Sequence, residues 1–251
     1  MASWVTHLMV ADSVLDRVSG LDKRGFCVGN IAPDCNVENE DWTQFTPSRA
    51  VTHWMSGERK AASDCERFYK EYIENRKQEI KTNEEYSFLL GYYAHLITDA
   101  EFQRFIREED RVAAVWKRIR KHPVLAEKAS GMPENWDSVK LLIQKEDRMK
   151  DIYWIEADYL ERHPKSGYFT EILNLTEFPD YIDYLPAGAI VRKTGVMGYL
   201  PGKEISEYSY IGMSKEEYGR FVDSAIWLVM DSILKNASDQ IKINRGKDQT
   251  E

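Results

Sequence analysis

Leu90-Gly91-Tyr92-Tyr93-Ala94-His95-Leu96-Ile97-Thr98-Asp99 is the stretch on which the fold turns. With Tyr86 and Leu89 ahead of it, its apolar residues leave almost no polar face, so it predicts a central helix in an all-α protein. Thr82 followed by Glu85 is a capping box that opens this helix near Asn83, and the pattern runs on to about Arg107. His95 and Asp99 stand four residues apart and so project from one face, about one turn apart, where one ion can bind both. Taken alone, the pair also reads as a partly buried histidine beside a carboxylate. An unpaired carboxylate in so apolar a helix carries a large desolvation cost, which calls for a compensating charge.

Two segments towards the N-terminus repeat the same tension. Residues 3–19 predict a helix, with Trp4, Leu8, Ala11, Leu15 and Val18 at spacings of three and four, Ser3 as its cap and Gly20 as its stop. His7 flanks that apolar stripe and reads either as a satisfied core histidine or as a ligand. From Gly25 to about Pro47 the pattern dissolves into Gly, Pro, Asn and Asp, which predicts a long irregular loop of the kind that carries function. That loop holds Asp34 after Pro33, where a turn or helix-capping aspartate is the plain alternative. His53 follows in Val51-Thr52-His53-Trp54, with a helix-end histidine packed beside Trp54 as its plain alternative. One divalent cation accounts jointly for three of the five histidines and for both aspartates.

Further along, helices are expected over 47–54, 57–76, 108–121, 135–149 and 151–162. Residues 165–213, rich in Gly, Pro, Tyr and Asp, are expected to form loops, short helices and a hairpin, and are a candidate lid or subdomain. Ser214 and Glu217 make a second capping box that opens a long final helix, with a polar tail after Asn236. The chain of 251 residues is 43% hydrophobic and 12% aromatic, enough for one large core, and reads as a single domain over 1–251. It contains no apolar run long enough for a membrane span and no evident leader. Cys27, Cys35 and Cys65 have no CxxC spacing, so neither a disulfide framework nor a thiolate zinc site is suggested, and a cytoplasmic location is the expectation. A net charge of −8 argues against broad affinity for long nucleic acids.

Four segments together resemble the bacterial zinc-dependent phospholipase C family, which groups with the zinc-dependent single-strand nucleases in one helical superfamily. They are Thr6-His7-Leu8, Ile31-Ala32-Pro33-Asp34, Thr52-His53-Trp54 and the 90–99 stretch, in matching order and rough spacing. The resemblance implies a multi-helical phospholipase C/nuclease-like bundle holding one to three zinc ions, with the loop-rich insertion before the C-terminal helix. Asp34, His53, His95 and Asp99 match the central metal ligands, and Asp34 is also the candidate general base. His7 with a bridging Asp99 matches part of a second site, which the secreted enzymes complete with a processed N-terminus, usually tryptophan; here Trp4 lies three residues before His7. The family's later histidine and HxxxE pair have no counterpart after Ala100-Glu101-Phe102, so one zinc site is expected to be missing or rebuilt, with Glu101, Glu156 and Asp158 as oxygen candidates. His122 and His163 read as loop or helix-end residues.

The implied activity is zinc-dependent hydrolysis of a phosphate ester, foremost a phosphodiester such as a phospholipid head group. Tyrosines in 181–184 and 199–210 are candidates for lining a pocket for a choline-like cation, with core packing as the alternative. Nuclease or nucleotidase activity, and a non-catalytic metal-binding interaction protein, are the other readings.

Overall fold

A computed structural model describes residues 2–55, 62–236 and 242–243. It is all-α, as the patterning predicts, and among the described residues the strands are four pieces of two residues each. Helices α1 (Trp4–Arg17), α2 (Lys23–Gly29), α3 (Arg49–Thr52), α4 (Cys65–Phe68) and α5 (Asn83–Phe105) precede α6 (Glu109–Lys121), α7 (Pro123–Lys128), α8 (Trp136–Leu142), α9 (Lys145–Arg162), α10 (Ala189–Met197) and α11 (Lys215–Asn236). Short strands β1 (Val18–Ser19) and β4 (Lys242–Ile243) pair antiparallel, as do β2 (Val37–Glu38) and β3 (Phe45–Thr46).

The chain divides into two compact units. One comprises Met1–Ala100, Pro164–Tyr199 and Ala225–Glu251, and the other Glu101–His163 and Leu200–Ser224. In the first unit, Ser3 caps α1 by accepting from the Thr6 N–H, and Leu8, Val10, Ala11 and Val14 are fully buried along it. The α5 start is capped as expected, with the Glu85 N–H donating to Thr82 Oγ1 at 3.1 Å and Glu85 returning a carboxylate to the Lys81 N–H. The helix closes at Phe105, two residues before the expected end.

The expected 25–47 loop is corrected at its start, where α2 forms behind an Asp22 cap. Glycine there serves close approach rather than chain breaking. A Cβ added at Gly25 or Gly29 would strike the α5 carbonyls of Glu84 and Phe88, and one at Gly91 would strike the carbonyl of Phe26. The two helices thus meet backbone to backbone, with Phe26 and Val28 buried beside the contact. The rest of the loop is a 3-10 turn, Ala32–Asp34, and the β2–β3 ribbon.

Part of the 57–76 helix lies outside the described residues. Its described part contains α4 and a π-helical stretch, Tyr69–Glu74. Within 165–199 there is a π-helical turn, Tyr168–Ile172, then α10; the expected hairpin is absent among the described residues.

In the second unit, α9 runs unbroken from 145 to 162 where a break near 150 was expected, because no Gly or Pro interrupts it. Its core gathers Val115, Trp116, Ile119, Val139 and Phe221, with Phe102 edge-on to Phe221 at 5.0 Å. Glu217 completes the second capping box with Ser214 and takes a two-pronged ion pair from Arg118. Among the described residues, no helix is long and apolar enough to cross a membrane.

Candidate metal centre

Four separated stretches bring His7, Asp34, His53, His95 and Asp99 to one place. Helix α1 supplies His7, the turn after α2 supplies Asp34, the end of α3 supplies His53, and α5 supplies His95 and Asp99. The glycine-mediated approach of α2 to α5 sets this up. Gly91 lies one turn before His95, and Gly29 leads directly into Asn30, whose carbonyl receives His95 Nδ1 at 2.7 Å. A carbonyl can only accept, so Nδ1 carries the proton and Nε2 presents its lone pair.

His53 is set in the same way. Its Nδ1 is 2.9 Å from Thr52 Oγ1, which itself donates to the Arg49 carbonyl, so the hydroxyl accepts from His53 and Nε2 again presents a lone pair. The Thr52 carbonyl is in turn held by the Tyr92 hydroxyl. Tyr184 donates to the Tyr92 oxygen at 2.8 Å and accepts from the Trp54 indole at 3.0 Å. Tyr181 donates to Glu84. The tyrosines of 181–184 therefore buttress the site and the α5 start by packing and hydrogen bonding.

The two Nε2 atoms of His53 and His95 lie 3.2 Å apart, and His53 Nε2 lies 3.3 Å from Asp34 Oδ1. Asp99 reaches the same centre, with Oδ2 3.6 Å from His53 Nε2 and 4.0 Å from His95 Nε2. On its other side, Asp99 Oδ1 is 3.7 Å from His7 Nε2 and accepts the Ala2 N–H at 3.0 Å. The His7 ring stacks on His95 with centroids 3.7 Å apart and planes 6° from parallel. All three imidazoles are essentially excluded from solvent, and Asp99 is 3% exposed.

Two observations bear on whether a metal fits. Two imidazole lone pairs facing each other at 3.2 Å repel unless a positive charge lies between them. Ligand atoms about 2.0–2.1 Å from a tetrahedral zinc ion lie about 3.3–3.4 Å from one another, close to the His53–His95 and His53–Asp34 spacings. In addition, neither ring nitrogen of His7 has a hydrogen-bond partner although both are buried, a condition that costs about 1–3 kcal/mol for each orphaned group. Nitrogen and carboxylate donors in this ratio suit zinc. The ligand-capable atoms fall into two groups sharing His95, namely Asp34, His53 and His95, and His7, His95 and Asp99.

The electrostatics favour the ligating forms of His95, Asp34 and Asp99. Burial, with the neighbouring His7, pushes His95 well below its ordinary value, so it stays neutral. Burial would raise the Asp34 and Asp99 carboxyls. Neighbouring polar groups outweigh it, His53 foremost at Asp34 and His7 foremost at Asp99, so both carboxyls lie well below the usual carboxylate range.

Residues outside the expected set also contribute. Arg49 is the foremost: its Nη2 is 2.6 Å from Asp99 Oδ2 and its Nη1 is 3.3 Å from Asp34 Oδ1. Its place four residues before His53, on the same helix face, was the available signal. Asn30, Thr52 and Ala2 act through backbone or hydroxyl groups, which leave no mark in a search for ligand types.

The oxygen candidates for a further zinc site are otherwise engaged. Glu101 is gripped by Arg104 and Ser224, Asp158 pairs with Arg162, and the Tyr218 hydroxyl lies 3.5 Å from Glu156. None of them belongs to either ligand-capable group among the described residues. His122 and His163 sit at helix ends, His122 capping α7 by accepting from the Leu125 N–H and His163 closing α9. Cys27 and Cys35 are buried and unpaired by disulfides, and burial pushes both thiols up.

Fold and site together define an all-α protein with a buried histidine–aspartate cluster able to hold metal. Residues 6–101 match the zinc dependent phospholipase C family, which bears out the resemblance carried by the four motifs. All five site residues lie inside the matched segment. No curated protein and no solved structure matches the chain.

Proposed function

We propose that the protein is a zinc-dependent phosphoric ester hydrolase, a phosphodiesterase of the phospholipase C type, with His7, Asp34, His53, His95 and Asp99 as its metal-binding residues. The family match over 6–101 supports metal-dependent phosphodiester chemistry in general. The observation that carries the residue assignment is the facing pair of Nε2 lone pairs on His53 and His95, 3.2 Å apart and bordered by two carboxylates.

Zinc, when bound, supplies a Lewis acid that acidifies water towards neutral pH and offsets charge on the phosphoryl oxygens. Asn30 and Thr52 hold the imidazoles of His95 and His53 in the ligating tautomer before any ion arrives, so little reorganisation is needed. Asp34 is ionised at neutral pH and is the more solvent-accessible of the two carboxylates, with its side chain 15% exposed against 5% for Asp99. It takes the proton from the water whose oxygen adds to phosphorus, and that proton passes to the alcohol oxygen as the ester P–O bond breaks. His95 is common to the two ligand groups, and Asp99 reaches His7 with one oxygen and the His53–His95 pair with the other.

The test is metal analysis of the purified protein joined to a panel of phosphocholine, nucleotide and nitrophenyl phosphate esters. The expected result is bound zinc and turnover of a phosphodiester, lost on chelation and restored by zinc. Zinc without turnover of any ester would favour a metal-stabilised binding module, and absence of zinc would remove the metal reading itself.

A further inference from the structure

We propose that Arg49 is an internal counter-cation of this centre: it holds Asp34 and Asp99 when no divalent ion does, and turns to the phosphoryl oxygens of the substrate once an ion takes those carboxylates. The inference rests on the zinc reading above and adds a specificity residue to it.

Position and charge carry the argument. Arg49 opens α3, and its carbonyl receives the His53 N–H at 2.8 Å and the Thr52 hydroxyl at 3.3 Å, so its backbone is part of the frame that sets His53. Its side chain is 38% exposed, whereas those of Asp34, Asp99, His7, His53 and His95 are at most 15% exposed. The guanidinium therefore lies on the solvent side of the cluster, where an incoming phosphate ester must pass. It spans one oxygen of each carboxylate, and Asp99 Oδ2 is also the oxygen that faces His53 and His95. That oxygen cannot serve a zinc ion and a guanidinium at full strength together, because two cations sharing one oxygen repel at short range. Loading the centre thus loosens Arg49 from the carboxylates while its root stays one turn from His53. A planar fork of N–H donors beside a bound phosphoryl group matches two of its oxygens, a geometry that lysine does not reproduce.

The experiment compares the wild-type protein with Arg49→Gln and Arg49→Lys in two binding measurements that need no turnover. Zinc affinity is measured by chelator competition with the metal alone, and inorganic phosphate affinity by equilibrium dialysis on the zinc-loaded proteins. Arg49→Gln is expected to bind zinc on the order of 10-fold more tightly, because a competing cation is gone, and to bind phosphate on the order of 10- to 100-fold more weakly. Arg49→Lys, which keeps the charge without the fork, falls between the two on both scales and guards against a folding defect in the glutamine variant. Unchanged or weaker zinc binding by Arg49→Gln, or unchanged phosphate binding, overturns the proposal while wild-type zinc binding leaves the hydrolase reading in place. Failure of the wild type and both variants to bind zinc removes both.

Discussion

Two polar clusters in this molecule are treated differently. In the unit built from 101–163 and 200–224, Glu101 is met by two Arg104 nitrogens at 2.6 and 2.7 Å and by the Ser224 hydroxyl at 2.7 Å. Glu217 there is met by Arg118 and by the Ser214 N–H at 2.8 Å. Each carboxylate is answered by donors of the protein itself, and the result is structure. In the other unit Arg49 meets Asp34 and Asp99 and the Ala2 N–H meets Asp99, yet the imidazoles beside them are left open, His7 with two orphaned nitrogens and His53 and His95 aiming lone pairs at each other. A buried polar network that answers itself holds a fold together, whereas one left open is arranged for something the protein does not supply.

That contrast can be broken most forcefully at α5. Replacing His95 or Asp99 with Ala is expected to abolish zinc retention and lower ester hydrolysis by more than about 100-fold, since both belong to the shared centre. Atomic absorption and steady-state kinetics read the two losses together, and a variant retaining full zinc and full turnover would separate the open cluster from function.

Gly91→Ala tests the support of the site. Its new methyl meets the Phe26 carbonyl on a rigid helix, so a loss of about 3 kcal/mol in urea unfolding is expected, with weakened zinc binding because Asn30 moves away from His95. Unaltered stability would mean that α2 and α5 do not approach so closely. His7→Ala removes a ring of the second ligand group only, and kcat/KM is expected to fall on the order of 10- to 100-fold. Unchanged kinetics would take His7 out of the site.

The smallest effect is expected on the closed side of the comparison. Glu101→Gln loses the charge that holds Arg104, an arginine more than half exposed, and should cost about 1 kcal/mol with zinc content untouched. A drop in zinc content would show that this carboxylate is not purely structural.

The central helix and its two ligands were legible in the sequence for identifiable reasons. The 90–99 stretch is so apolar that His95 and Asp99 stand out against it, and the capping boxes at Thr82 and Ser214 locate two long helices to within a few residues. Helix α2 was hidden because Gly25 and Gly29 look like chain breakers when their neighbours are unknown; their purpose is apparent only against the backbone of α5. Arg49 was hidden for a related reason. A search for metal ligands seeks groups that donate lone pairs, and a cation that competes with the metal for its carboxylates is the opposite of what such a search seeks. The hydroxyls of Tyr181 and Tyr184 engage Glu84, Tyr92 and Trp54, a bracing role that the tyrosine-rich composition of the segment does not disclose.

The most direct test of the central claim is crystallographic, namely zinc-edge anomalous diffraction from crystals of the full chain grown with zinc. The expected result is an anomalous peak within about 2.0–2.2 Å of Nε2 of both His53 and His95, with a carboxylate oxygen of Asp34 or Asp99 at similar distance. Well-ordered crystals in which these side chains surround no anomalous scatterer, or in which zinc binds only elsewhere, would contradict it.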